Sequence, residues 1–167
     1  MRFSVVIPTY NRQATLRQTL MAVMREQAIE YEIIVIDDGS TDGTREMIAA
    51  EFPGVHYIRQ ANRGPAAARN QGIHVATGEF IAFTDDDCVP PPNWLSSLAD
   101  GFDRYPSVIG VGGYLEAPDD VLKTNRWAQY EQYVARAFYR VNAGEYLGGY
   151  ECPAGGTNNL AYRRAAL

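Results

Sequence analysis

The fold of this chain is indicated most clearly by Gly78-Glu79-Phe80-Ile81-Ala82-Phe83-Thr84-Asp85-Asp86-Asp87, an apolar run that ends in three aspartates. This apolar run predicts a buried strand, and residues 32–36, which show almost no alternation, predict another that is covered on both faces, as in a parallel sheet. Three adjacent carboxylates beside a buried strand repel one another unless a cation compensates them. The stretch therefore predicts an α/β fold with a polar site at the end of this strand.

Strands and helices alternate along the chain on both sides of this stretch. Short apolar runs rich in β-formers occupy residues 3–7, 32–36, 55–58 and 79–84, and helical apolar spacing occupies residues 14–28, 64–76 and 93–102. Thr41 or Asp42 can cap a further helix that carries Met47, Ile48 and Phe52. This alternation predicts a mostly parallel sheet with helices on both faces, a three-layer αβα sandwich.

Length, charge and motifs exclude several classes of protein. A chain of 167 residues favours one domain, and a net charge of −5 argues against nucleic-acid binding, which needs clustered Lys and Arg. No apolar run approaches the roughly 20 residues that span a bilayer. Neither Cys88 nor Cys152 belongs to a CxxC pair, so we predict reduced thiols and a cytoplasmic location. The absence of GxGxxG and GxxxxGKS/T argues against NAD(P) enzymes and P-loop NTPases.

Three polar clusters follow predicted strands: Pro8-Thr9-Tyr10-Asn11-Arg12, Asp37-Asp38-Gly39-Ser40 and Asp85-Asp86-Asp87. The carboxyl ends of parallel strands share one edge of a sheet, where ligands bind, so we expect the clusters to converge. One or two carboxylates of the last cluster can bind Mg²⁺ or Mn²⁺ and leave positions open for diphosphate oxygens. If that strand stays extended, Asp85 and Asp87 point one way and Asp86 the other. Asp38 can accept a hydrogen bond from a base or ribose, or belong to a turn.

A different pattern follows Tyr114, where the strand–helix alternation loosens. Residues 126–140 carry apolar residues at helical spacing, namely Trp127, Tyr130, Val134, Ala137 and Phe138. We expect this helix to cover the sheet edge or a partner subunit in a homo-oligomer. A peripheral membrane contact or an acceptor-binding face is the alternative.

The motifs resemble those of the inverting family 2 glycosyltransferases, which have the GT-A (nucleotide-diphospho-sugar transferase) fold. The resemblance rests on five segments, residues 5–12, 33–42, 62–70, 78–87 and 155–164. It implies transfer of a sugar from a nucleoside diphosphate sugar, with UDP favoured, to the hydroxyl of a saccharide, lipid or protein acceptor. It also implies inversion, with a carboxylate base that removes the acceptor proton and a metal that stabilises the departing diphosphate.

The resemblance implies a role for each site residue. The nucleotide would be bound by Pro8, Thr9, Tyr10, Asn11, Asp38, Asp85 and Asp86. The donor phosphate and sugar would be held by Gly64, Arg69, Asn70, Gly156 and Asn158, with residues 155–164 lining the sugar pocket. The metal, Mn²⁺ or Mg²⁺, would be bound by Asp87 together with Asp85.

The resemblance also implies a domain layout and an expectation about turnover. Residues 1–167 would form one domain, with a nucleotide-binding half (1–114) and the start of an acceptor-side half (115–167). The family places its catalytic base in an acidic pair beyond the segment that residues 155–164 resemble, and only Ala165-Ala166-Leu167 follow it. We therefore expect a domain truncated at its C-terminus that binds donor without efficient turnover.

Two alternative functions remain open at this point. One is a nucleotide-sugar-binding module without efficient turnover. The other is a nucleotidyltransferase of similar fold, which would need a glycine-rich basic loop where Pro8-Thr9-Tyr10-Asn11 stands.

Overall fold

The computed structural model describes residues 1–113, 116–117, 119–130, 133 and 158–167. Its strands are β1 (Arg2–Thr9), β2 (Glu30–Asp37), β3 (His56–Arg59), β4 (Phe80–Phe83), β5 (Gly110–Gly112) and β6 (Leu160–Arg163). Its helices are α1 (Gln13–Val23), α2 (Thr44–Glu51), α3 (Pro65–Val75), α4 (Trp94–Arg104) and α5 (Asp119–Thr124), and a 3-10 turn covers Arg164–Ala166. These strands form a sheet with the order β3-β2-β1-β4-β6-β5.

Strand β1 lies in the parallel part of the sheet, with β2 on one side and β4 on the other. Strand β3 extends this parallel part beyond β2. The chain thus leaves β1 in one direction and later returns to its other side, and ligands of open α/β sheets bind at the strand ends at such a point. The expected α/β class with a mostly parallel sheet is confirmed.

Two apolar cores lie on opposite faces of this sheet. One face packs Phe3, Val5 and Ile7 of β1 against apolar residues of α1, α2 and α4. The other packs Val6 with neighbouring strand residues against α3. Successive residues of a strand point to opposite faces, so β1 supplies both cores and is buried along almost its whole length. This arrangement confirms the three-layer sandwich.

Helix α3 approaches β1 closely at Gly72. A Cβ atom on Gly72 would overlap the Cγ1 atom of Val6, so only glycine fits at this crossing without a shift of the Val6 side chain, the strand or the helix. The close approach fixes the height of α3 above the sheet, and with it the position of the helix start next to the site.

The antiparallel pair β5–β6 is the part of the sheet that the sequence did not predict. Strand β6 pairs antiparallel with β4 on one side and with β5 on the other. Strand β5 is three residues long and two of them are glycines, so neither its length nor its composition marks it as a strand.

Two predicted helix ends were also wrong in detail. The helix predicted for residues 14–28 ends at Val23, and the Glu26 carboxylate then accepts hydrogen bonds from the Gln27 and Ala28 N–H groups. Helix α2 has Gly43, not Thr41 or Asp42, at its N-cap. Asp42 acts from one residue earlier, where its Oδ1 accepts from the Thr44 N–H at 3.1 Å.

The predicted helix at residues 126–140 is described only in part. Residues 126–130 and 133 are helical, and residues 134–140 lie outside the described part. Trp127, Tyr130 and Tyr133 are 66%, 58% and 71% exposed, so in this chain the sheet edge does not cover them. Contact with a partner subunit stays a prediction. Among the described residues, no helix has both the length and the apolar character to cross a bilayer.

Candidate functional site

The loop after β1 is tied to the two neighbouring strand ends. Thr9, the last residue of β1, donates from its hydroxyl to Asp86 Oδ2 at 2.7 Å. Asn11 takes a left-handed backbone conformation with φ of 53°, and its N–H donates to Ser40 Oγ at 2.8 Å. Its side-chain oxygen accepts from the Thr41 N–H at 2.7 Å. The loop after β1 therefore contacts the loop after β2 on one side and the triple aspartate on the other.

The two aspartates at the end of β2, Asp37 and Asp38, bind different parts of the structure. Asp37 is buried and accepts hydrogen bonds from the Ser40 N–H at 2.7 Å and from the Tyr57 hydroxyl at 2.5 Å. These bonds close the turn after β2 and attach it to β3. Asp37 is therefore a structural residue of the turn, whereas Asp38 faces the next loop.

Asp38 holds the segment that begins α3. Its Oδ1 accepts from Gln60 Nε2 at 2.7 Å and from the Arg63 N–H at 2.9 Å, and its Oδ2 accepts from the Gly64 N–H at 2.7 Å. Gly64 has a φ of 89°, a conformation that strongly favours glycine. Burial alone would raise the pKa of Asp38, but these hydrogen bonds outweigh it and hold that pKa below its ordinary value. Asp38 is thus ionised at neutral pH and sets where α3 starts.

The triple aspartate does not continue the strand. Strand β4 ends at Phe83, and a hydrogen bond from the Cys88 N–H to the Asp85 carbonyl closes a turn at 3.2 Å. Asp85 accepts from Arg69 Nη2 at 2.5 Å, on the α3 side. The extended backbone that would point Asp85 and Asp87 the same way is therefore not present here.

Asp86 and Asp87 instead share one guanidinium group. The Nη1 atom of Arg12 lies 3.2 Å from Asp86 Oδ1 and 2.7 Å from Asp87 Oδ2. Asp86 is 8% exposed, and Asp87 is 50% exposed. Burial raises the pKa of Asp86, although the Thr9 hydroxyl and the Arg12 guanidinium partly offset this effect. In turn, Asp86 and then Asp87 raise the pKa of Arg12.

Buried polar atoms without a hydrogen-bond partner gather where β4 ends. In the described part of the chain these side-chain atoms are Arg69 Nε, Thr84 Oγ1 and Asn158 Oδ1. Thr84 follows β4 directly, and Arg69 contacts Asp85. The antiparallel register pairs Phe83 with Leu160, which brings Asn158 to the same end of β4. Buried polar groups are normally paired, so these atoms point to a polar ligand or water at this place.

The carboxylates here suit a hard divalent cation. Mg²⁺ and Mn²⁺ prefer oxygen ligands, and Asp85 and Asp87 lie at the same turn as the unpartnered atoms. Among the described residues, no three His, Cys, Asp or Glu side chains are grouped so that they could enclose a metal ion by themselves. A metal held by these carboxylates would therefore need its other ligands from a bound molecule.

The remaining predicted site residues lie around this centre. Pro8 lies within β1, opposite Ile36, and Tyr10 is 47% exposed on the loop that follows. Asn70 is exposed on α3, next to Arg69. Gly156 lies outside the described residues. The structure thus brings Thr9, Asp38, Arg69 and the triple aspartate to one edge.

Two arginines of the segment at residues 155–164 lie at the opposite end of β4. Arg163 pairs with Phe80, and its guanidinium packs 5.1 Å from the ring centroids of both Phe80 and Phe102. Arg164 donates to the Ala76 carbonyl. The expectation that the whole segment lines a sugar pocket is therefore wrong for these two residues.

Sequence reasoning left three contributors out of the site. Arg12, Gln60 and Arg63 were not assigned a role, yet Arg12 joins two of the aspartates and the other two donate to Asp38. Arg12 stands in the first polar cluster, so its basic side chain next to a predicted acidic edge was an available signal. Gln60 carries no such signal.

Solved glycosyltransferases have a similar fold. TarS 1–349 of S. aureus superposes with a TM-score of 0.68 at 23% identity, over 99% of this chain and 48% of that one. The mannosyltransferase PcManGT from Pyrobaculum calidifontis, solved with GDP-Man and Mn²⁺, gives a TM-score of 0.68 at 23% identity, over 98% and 44%. At this identity the likeness shows the fold alone, and it agrees with the expected GT-A class.

Sequence relatives are also named glycosyltransferases. The uncharacterized glycosyltransferase YibD of Escherichia coli (strain K12) is 42% identical over 100 residues, which are 58% of this chain and 29% of that protein. The uncharacterized glycosyltransferase alr2836 of Nostoc sp. (strain PCC 7120) is 36% identical over 128 residues, 74% of this chain and 39% of that protein. This chain thus spans well under half the length of either relative. The family model described as glycosyl transferase family 2 matches residues 4–167. With that match over nearly its whole length, this chain belongs to glycosyl transferase family 2.

Proposed function

We propose that this chain binds a nucleoside diphosphate sugar and passes the sugar to an acceptor hydroxyl with inversion, in a metal-dependent reaction. The observation that carries the proposal is the convergence of Thr9, Asp38, Arg69 and the triple aspartate at the carboxyl ends of β1, β2 and β4. These residues come from positions up to 78 apart, from Thr9 to Asp87. A polar edge of this kind at the reversal of strand order is the usual ligand site of open α/β sheets.

The number of hydrogen-bond acceptor positions left free on Asp38 favours a uracil base. An ionised carboxylate has about four acceptor positions, and three of those on Asp38 are taken by Gln60, Arg63 and Gly64. One acceptor position remains. Uracil offers one N–H donor on its pairing edge, whereas guanine offers the N1–H together with the N2 amino group. We therefore propose UDP over GDP, with Thr9, Pro8, Tyr10 and Asn11 forming the rest of the nucleoside side.

The donor phosphate and sugar would lie next to Asp85 and the start of α3. Arg69 brings positive charge there, and its unpartnered Nε and the Asn158 oxygen can hydrogen-bond a phosphate or sugar group. The Gly64 backbone opens α3, whose first-turn N–H groups favour negative charge. Asn70 and Gly156 complete the proposed donor side.

The metal, Mn²⁺ or Mg²⁺, would be held by Asp87 with Asp85. Its contribution would be Lewis-acid stabilisation of the charge on the leaving diphosphate. Among solved proteins of this fold, TarS is known with UDP-GlcNAc, and a mycobacterial glucosyl-3-phosphoglycerate synthase is known with UDP and Mn²⁺. The acceptor would be a saccharide, lipid or protein hydroxyl, approached from the half that begins near residue 115.

A ligand panel with two variants tests this function. UDP should raise the melting temperature of the chain more than GDP, and more with Mn²⁺ than with EDTA, because a ligand that binds only the folded state stabilises it. Asp87→Ala should remove the metal-dependent part, and Asp38→Ala should weaken UDP binding with or without metal. Equal shifts for UDP and GDP would refute the base assignment, and equal shifts in Mn²⁺ and EDTA would refute the metal assignment.

Turnover separates the enzyme from a binding module. We expect release of UDP from UDP-sugars to increase when a saccharide acceptor is added. Donor binding without any acceptor-dependent release, in this chain and in a longer chain that contains it, would favour a binding module instead.

A further inference from the structure

Arg12 contacts the same carboxylate that the proposed function gives to the metal. Its Nη1 atom alone reaches Asp87 Oδ2 at 2.7 Å and Asp86 Oδ1 at 3.2 Å. Together with the pair between Arg69 and Asp85, two arginines neutralise most of the charge of three adjacent aspartates. A divalent cation on Asp87 would share that carboxylate with the Arg12 guanidinium. Like charges this close oppose each other, so the guanidinium and the cation each weaken the other's hold on Asp87.

The backbone of Arg12 is fixed from both sides. The preceding residue, Asn11, is bonded to Ser40 and Thr41 in the loop after β2. On the other side, the Arg12 carbonyl accepts from the Leu16 N–H at 3.0 Å in the first turn of α1. Separation of Arg12 from Asp87 therefore requires movement of a side chain and not of the loop.

The side chain has room for that movement. Arg12 is 54% exposed, and it borders an open cleft of about 600 Å³ between the start of α1, Asp42 and Asp87. Asp86 is buried and also accepts a hydrogen bond from Thr9, so Asp86 stays in place when Arg12 moves. Asp87 is half-exposed and can exchange one cation for another. The exchange therefore involves the outer carboxylate, and the inner one keeps its place.

We propose that Arg12 is the counter-ion of Asp86 and Asp87 in the metal-free protein, and that it releases Asp87 to the divalent cation. Arg12 is then a positioning residue that sets how strongly metal binding and nucleotide binding are coupled. Without metal, its charge keeps the acidic edge from repelling a diphosphate. With metal, it competes for Asp87. This inference rests on the metal and nucleotide assignments of the proposed function.

The two roles of Arg12 predict opposite changes in one variant. In Arg12→Gln, the affinity for Mn²⁺ without nucleotide should rise about fivefold, because a competing ion pair of about 1 kcal/mol is removed. The affinity for UDP in EDTA should fall about two- to threefold, because one positive charge is lost near the diphosphate. Free Mn²⁺ can be followed by its electron paramagnetic resonance signal, and UDP binding by calorimetry. A residue that only supports the loop would lower both affinities.

Two further variants complete the experiment. Arg17→Gln removes a charge from α1, the helix that follows Arg12, where Arg17 pairs with Glu51, and should change neither affinity. Arg12→Lys keeps the charge and should give values between those of the wild type and Arg12→Gln; it also serves if Arg12→Gln does not fold. Mn²⁺ affinity that is unchanged or lower in both Arg12 variants overturns the inference. A wild type that binds UDP but never Mn²⁺ would instead refute the proposed metal site, and the inference with it.

Discussion

Asp38→Ala is expected to destabilise the protein even without ligand, because the carboxylate holds the segment from Gln60 to Gly64. Three donors lose their acceptor, at distances of 2.7, 2.9 and 2.7 Å. A donor left unpaired in a buried place costs about 1–3 kcal/mol, and these donors lie near the surface, where water can replace the carboxylate in part. We therefore take the lower figure for each and expect a loss of about 3 kcal/mol in the free energy of unfolding.

Thermal unfolding followed by circular dichroism measures this loss. For a chain of this size each kcal/mol shifts the melting temperature by about 2–4 °C, so Asp38→Ala should melt roughly 6–12 °C lower. Asp38→Asn keeps one acceptor oxygen but turns an amide N–H₂ toward a donor, so it should lose about half as much. The control is Asp100→Asn on the exposed side of α4, which should stay within about 0.5 kcal/mol of the wild type. A ligand-free Asp38→Ala protein that melts within 2 °C of the wild type would show that Asp38 does not hold this segment.

Two further predictions concern the frame around the site. Gly72→Ala should lower the free energy of unfolding by about 1–3 kcal/mol, because the new methyl group overlaps Val6. Adding Val6→Ala in the same chain should recover part of this loss. If the double variant loses as much stability as the two single variants added together, the overlap is not the cause. Burial would raise the pKa of Glu32, but hydrogen bonds from Ser4 and Thr77 hold it below its ordinary value. A lowered folded-state pKa stabilises the protein above the unfolded value near 4.5 and loses this effect as the pH falls through the folded value. The difference in urea midpoint between the wild type and Glu32→Gln should therefore be present at pH 7 and shrink below pH 4.5; a difference that is constant from pH 7 to pH 3 would contradict this account.

Local sequence signals predicted the parallel half of the fold because each of its elements carries its own pattern. Pro65 after Gly64 marks the start of α3, and the apolar runs of β1, β2 and β4 mark strands. The run of β2, which has almost no alternation, also marks a strand covered on both faces. The convergence of the polar clusters follows from parallel pairing alone. The antiparallel pair could not be predicted in this way, since Gly110–Gly112 has no strand pattern and its partner lies some 50 residues later.

The contacts that each aspartate makes within the site also could not be predicted from the sequence. That Thr9 and Arg12 reach Asp86 depends on how the turn at Asp85 bends, and three identical residues in a row give no signal for which one faces which partner. The same limit applies to Asp38. Its place after a strand predicted a polar contact, but its bonds to the Arg63 and Gly64 N–H groups are set by the backbone of a loop 25 residues away.

The position of β6 between β4 and β5 has a consequence for the order in which the protein folds. Residues 160–163 fill a gap beside residues 80–83, about 80 positions earlier in the chain. During synthesis, β4 can already pair with β1 while its other side still presents unpaired N–H and C=O groups. Exposed strand edges invite pairing with other chains, and contacts this distant in sequence form slowly. We therefore expect aggregation during expression to increase most with changes that delay the pairing of β6 with β4. Slower synthesis of the chain between residues 113 and 158 would be one such change.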